Sequence, residues 1–133
     1  MNKQTFALVV IRISLGLIFA IHGGAKFAGG IGGTAAFFES ISIPSFLAYI
    51  VATIELVGGV LLIFGVLTKI ISALFVFIML GAIFTVKGPL GFLDGYELEF
   101  ALIAMSVTTF IASDWKTVFA FVPTTKQITE VSS

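Results

Sequence analysis

An apolar run from Phe46 to Leu67, interrupted by a single charge at Glu55, constrains this chain more than any other stretch. A helix of that length reaches roughly 30 Å, the hydrocarbon thickness of a bilayer. A carboxylate near its middle costs about 2.5 to 3.5 kcal/mol on insertion scales, so it must face other helices and find a partner there. Composition agrees, since 59% of the 133 residues are hydrophobic and only 11% are charged, far from soluble usage. The formal net charge is zero, with no basic block of the kind that binds nucleic acid. There are no cysteines, which excludes disulfides, thiol relays and iron–sulfur clusters within the chain.

Periodicity and breakers predict an all-α fold: an integral membrane four-helix transmembrane bundle forming a single domain over 1–133. The spans fall at about 6–22, 44–67, 70–86 and 96–113, with a polar tail at 114–133. Arg12 lies inside the first apolar run, where a cleaved signal segment would be uncharged, so this helix is expected to be retained. Arg12, Gly16, Phe19, Gly23 and Lys26 fall within about 40° of one line on a helical wheel and form its inner stripe.

From Gly23 the glycines are expected to break the first helix and form a Gly-rich connector to the second, with Thr34 as the N-cap of a short surface helix. Gly30-x-Gly32-x-x-Ala35 matches a relaxed dinucleotide fingerprint, but no strand precedes it, and it reads as connector. The second helix carries Ala48, Ala52, Glu55, Gly59 and Leu62 on one face, small residues that let another helix approach. On the fourth helix Glu97 and Glu99 lie about 200° apart, so only one faces inward; the small stripe Ala101, Ala104, Thr108 favours Glu97.

Lys3, Lys69, Lys116 and Lys126 fall on one side of four alternating spans and Lys26 and Lys87 on the other, which places both termini in the cytoplasm. Arg12 and Glu55 sit near the centres of their helices and are expected to form a buried ion pair. His22, Lys26, Lys87, Glu97 and Glu99 gather near the outer face. Of these, His22, Lys26, Lys87 and Glu97 are expected to line a pocket between helices one, two and four with Phe19, Phe27, Phe92 and Tyr96: apolar walls carrying a few convergent donors. Each also has a plain reading, register for the ion pair and interfacial snorkelling for His22 and Lys26.

Arg12-Ile13-x-x-Gly16, His22-Gly23-x-x-Lys26, Ile54-Glu55-Leu56-x-Gly58-Gly59 with Gly65-x-Leu67-Thr68-Lys69, and Tyr96-Glu97-Leu98 together resemble the DoxX family of small bacterial membrane proteins. The resemblance spans roughly 6–112. It implies a multi-pass bacterial plasma-membrane protein associated with oxidoreductase systems, among them a subunit of a thiosulfate:quinone oxidoreductase and components linked to thiol, quinone or catechol stress. After the fourth helix, Asp114-Trp115-Lys116 departs from the family's Gly-rich ending.

A quinone needs hydrogen-bond donors at two carbonyl oxygens and a proton route, which the cationic tips and carboxylates can supply, but these residues carry no electrons. A lone histidine without cysteine argues against a metal or haem centre, so no metal and no covalently bound cofactor are expected. Three readings stand. One is a quinone-linked membrane oxidoreductase subunit working with a soluble or membrane redox partner protein; another is an exporter of a small aromatic or catecholic compound, which needs a homo-oligomer to enclose a path; the third is a scaffold without its own site. All three sit in membrane lipid, and none engages nucleic acid.

Overall fold

The computed structural model describes residues 2–114 and 118–122. Trp115, Lys116 and most of the polar tail, including Lys126, lie outside the described residues. The described chain is all helical in its elements, in the order α1 (Lys3–Ala28), α2 (Ile31–Ser40), α3 (Phe46–Phe64), α4 (Thr68–Ala82) and α5 (Glu97–Ile111). Among the described residues, three segments are long and apolar enough to cross a membrane: Lys3–Ala28, Phe46–Phe64 and Thr68–Leu90. The 15 residues of α5 fall short of the roughly 20 that a full span needs.

The first helix does not end at His22. Asn2 caps its start by accepting the Thr5 amide at 2.7 Å, and α1 then runs through Gly23 and Gly24 to Ala28. These glycines are contact points, not breaks. A Cβ at Gly23 would lie 2.5 Å from the Leu56 nitrogen, and one at Gly16 would lie 2.6 Å from the Gly59 carbonyl oxygen. Antiparallel α1 and α3 thus pack backbone to backbone, the arrangement small residues permit between helices in lipid. The connector shrinks to Gly29 and Gly30, and α2 begins at Ile31 with Gly30 as its N-cap, so Thr34 lies inside the helix.

The inner stripes match the expectation on both partners: Arg12, Gly16, Phe19 and Gly23 are buried on α1, and Ala48, Ala52, Glu55, Gly59 and Leu62 on α3. A second pair forms between α4 and α5, and the two pairs close on a core of Leu15, Phe19, Leu62, Ile71, Phe75, Met79 and Leu102. Phe19 and Phe75 stack there with ring centroids 3.7 Å apart. Large apolar side chains such as Phe77 and Phe84 point outward, 72% and 82% exposed, as lipid-facing residues do.

After α4 the chain opens into wider helical turns over Ile83–Lys87, tightens over Gly88–Leu90 and reverses through Phe92–Tyr96, where Leu93 and Asp94 leave helical geometry. At the opposite end Gly65 turns α3 into α4 with φ 78°. There residues 118–122 return: the Leu67 amide donates to the Val118 carbonyl at 2.7 Å, and the Ala120 amide to the Gly65 carbonyl at 3.0 Å.

Candidate ligand site between two ion pairs

The Gly16–Gly59 contact sets the register of α1 on α3, bringing Arg12 level with Ile63 and Glu55 level with Ala20. At ~1.5 Å per residue that separates Arg12 and Glu55 by about 12 Å along the axis, so the expected Arg12–Glu55 pair does not form. Arg12 instead binds the C-terminal end of α3. Its Nε donates to the Leu62 carbonyl at 2.9 Å, Nη2 to Ile63 at 3.5 Å and Nη1 to Ala120 at 3.3 Å, and the guanidinium lies over the Phe121 ring, 5.1 Å from its centroid. Carbonyls at a helix end lack the regular amide partner four residues on; Leu62 also accepts the Gly65 amide at 3.1 Å, and the cation adds to that bonding and meets the negative end of the α3 dipole.

Glu55 is 3% exposed, and its partner is Lys26, reaching from the last turn of α1. The ammonium hydrogen-bonds Oε1. The extension of α1 beyond His22 makes this pair available, because Lys26 is carried on a helix and not on a loop.

A second pair faces the same space. Lys87, in the widened turn after α4, approaches the Oε1 atom of Glu99 on α5 at 3.8 Å. Here the expectation is corrected: Glu99 is 7% exposed and Glu97 is exposed. The inner face of α5 is Glu99, Leu102, Ser106 and Thr109, and the stripe of Ala101, Ala104 and Thr108 lies away from it. Glu97 turns back on the preceding reversal, where its Oε1 accepts the Asp94 amide at 3.4 Å.

Between the two pairs lies a cavity of about 260 Å³. Helices α1, α4 and α5 enclose it through Ile18, Phe19, Met79, Ala82, Leu98 and Leu102, with Val86 from the widened turn after α4; Glu55 reaches it from α3, and Thr34, Phe37 and Phe38 of α2 complete the wall. Its polar lining is Lys26, Glu55, Lys87, Glu99, His22 and Thr34. His22 Nδ1 donates to the Ile18 carbonyl at 2.8 Å, which leaves Nε2 as the ring's acceptor. The Oε2 atom of Glu99 is buried with no hydrogen-bond partner among the described residues. Such an atom is costly unless it takes a proton or meets a donor.

The structure thus brings together three of the expected site residues, His22, Lys26 and Lys87, and leaves two outside. Tyr96 packs edge-on against Phe92, with centroids 5.4 Å apart, and neither Tyr96, Glu97, Phe27 nor Phe92 lines the cavity. Sequence reasoning placed Glu99 near this face but set it aside for Glu97, and it missed the aromatic cover from α2. A signal for Glu99 existed in Leu102, Ser106 and Thr109, which follow it at helical spacing and carry two hydroxyls that a lipid-facing stripe would not.

The sequence model of the DoxX family matches residues 7–88, which hold α1 from its second turn, all of α2, α3 and α4, and three of the four ion-pair residues. The chain is 44% identical over 108 residues to a protein of Bacillus subtilis (strain 168) named "Putative oxidoreductase CatD", a match covering 80% of each. No solved structure matches the chain.

Proposed function

This chain belongs to the DoxX family, as a membrane protein, and we propose that it is a redox component that binds a quinone or quinone-like aromatic ring between its two lysine–glutamate pairs and works with a partner protein that exchanges the electrons. One observation carries the reading: two buried carboxylates, two ammonium groups and an imidazole line one small cavity with apolar walls, and Glu99 beside it keeps a buried oxygen with no hydrogen-bond partner among the described residues. Charges are too costly in a bilayer interior to gather without a task for them. The relative's name, which says oxidoreductase, points the same way.

The residues fit such a ring. The space is head-group sized, at the lower edge of the usual few hundred Å³ of ligand pockets, with apolar walls and few polar tips. A bound quinone would supply the two-electron, two-proton chemistry that the side chains lack. Lys26 and Lys87 line the cavity from two different elements, and each would donate to one carbonyl oxygen of the ring. Glu99 and His22 add a carboxylate and an imidazole to the lining, group types that can relay the protons of such a ring. Phe37 and Phe38 of α2 cover the ring and exclude water.

The membrane frame of this proposal takes α5, extended by its flanking turn, as a fourth span, with the protein multi-pass in the bacterial plasma membrane and both termini cytoplasmic. The cavity then lies toward the outer leaflet. Extraction in mild detergent followed by mass spectrometry of retained lipids tests the reading. The parent is expected to retain a quinone in stoichiometric yield, and a Lys87→Met, Glu99→Gln double variant to lose it while remaining folded. Equal retention by both would contradict the proposal.

A further inference from the structure

A larger groove, of about 410 Å³, adjoins the cavity between α3 and α4. The two spaces share Lys26, Phe38, Glu55, Met79, Ala82 and Val86, so the Lys26–Glu55 pair is a wall of both. The groove exists because the helices pack as two pairs, α1 with α3 and α4 with α5, while α3 and α4 touch sparsely. They meet at Gly58, where Phe75 and Ile71 fill the position a Cβ would take. Toward the start of α3 they part, leaving Leu47 and Val51 opposite Leu74, Phe77 and Ile78.

The polarity of this groove runs one way. Its charged end is the buried one, since Glu55 is 3% exposed, and its outer side carries Phe77, 72% exposed. Thr85, the other polar residue along it, already donates to the Gly81 carbonyl at 2.6 Å. An amphiphile filling both spaces must therefore lie with its polar ring inside and its apolar chain trailing outward. The acyl chain of an ordinary phospholipid would do the reverse and press its methyl end against the ion pair, desolvating a charge without offering it a hydrogen bond in return.

Resting on the ring site above, we propose that the α3–α4 groove holds the isoprenoid chain of the same quinone whose ring sits between the two ion pairs, so that the ligand is a long-chain membrane quinone and not a soluble ring. The chain both adds apolar burial and lets the ligand reach the site sideways from the lipid.

The test uses the full chain in lipid nanodiscs and two probes with one ring, 2,3-dimethoxy-5-methyl-benzoquinone and its decyl-substituted form, titrated calorimetrically. The parent should prefer the decyl form by at least ~tenfold, a modest share of what burying that many methylenes can give. Val51→Trp on one wall and Ile78→Trp on the other should each cut that preference to less than about threefold and leave the affinity for the chainless ring within about twofold. Leu47→Ala, which adds no bulk and tests the same wall without overpacking, should lower the preference as well. A preference unchanged in all folded variants overturns the inference, with the chain then lying in bulk lipid, and so does a parent that binds both probes equally. A parent that binds neither probe overturns the ring site itself.

Discussion

Arg12 Nε donates to the Leu62 carbonyl at 2.9 Å, so the guanidinium closes the C-terminal end of α3 and leaves the Glu55 carboxylate to Lys26. Buried charges a few turns apart on facing helices invite pairing with one another, but helix register decides which of them can meet. Two double-mutant cycles separate the alternatives. Arg12→Leu with Glu55→Leu should be additive in unfolding free energy to within about 0.5 kcal/mol, as expected for groups without a shared partner. Lys26→Met with Glu55→Leu should couple by about 1 to 3 kcal/mol, because Lys26→Met alone strands a buried carboxylate. Coupling in the first cycle and none in the second would mean that Arg12, and not Lys26, is the partner of Glu55.

Glycine substitutions should sort by what a Cβ meets. Gly23→Ala places a methyl 2.5 Å from the Leu56 nitrogen, and Gly59→Ala places one 2.5 Å from the Gly16 carbonyl oxygen, so each must push α1 and α3 apart. Losses of about 1 to 3 kcal/mol are expected, typical of overpacking. Gly32→Ala and Gly33→Ala in α2 meet nothing within 4 Å and should be neutral or stabilising by up to about 1 kcal/mol, since alanine suits a helix better. Thermal unfolding in one detergent ranks all four; equal losses across the set would rule out close backbone packing of α1 on α3.

Much of the fold was legible in the sequence for a physical reason. The inner stripes of α1 and α3 follow from helical periodicity and from the need to hide Arg12 and Glu55 from lipid, and both stripes are where periodicity put them. What periodicity cannot give is axial register between helices. That depends on which small residues touch, so Glu55 was matched to the wrong cation. Reading Gly23 and Gly24 as breakers ended α1 at His22 and not at Ala28, so Lys26, although in line with the inner stripe, was given to the outer cluster and not to Glu55. The choice of Glu97 over Glu99 failed similarly, because small residues on a helix short of a full span do not mark its inner face; Lys87, arriving from the widened turn, does.

Gly65 and the returning segment offer a separate test of the end opposite the cavity. A Cβ at Gly65 would lie 2.4 Å from the Ala120 carbonyl oxygen, and φ of 78° already disfavours any side chain. Gly65→Val should therefore detach residues 118–122 and expose the Arg12 contacts to Ala120 and Phe121, speeding proteolysis within that segment. Protection equal to the parent would show that the segment does not depend on the turn.

Orientation is testable without the site. Reporter fusions at Ser133 and in the reversal near Gly91 should label opposite faces of the membrane, with the Ser133 fusion cytoplasmic, as the lysine distribution predicts. Labelling on the same face would mean that α5 does not cross, and the fourth span would be lost.

A quinone ring seated between the Lys26–Glu55 and Lys87–Glu99 pairs is located most directly by photo-crosslinking. An azido-substituted benzoquinone irradiated with the parent protein, followed by peptide mapping, should modify residues of the cavity wall on three elements: Phe37 or Phe38 of α2, Met79 or Val86 near the end of α4, and Leu98 or Leu102 of α5. Excess unlabelled quinone should suppress this modification. Labelling confined to outward-facing Phe77 and Phe84, or to Phe92 and Tyr96 beyond the cavity, and indifferent to competitor, would contradict a ring site between the two pairs.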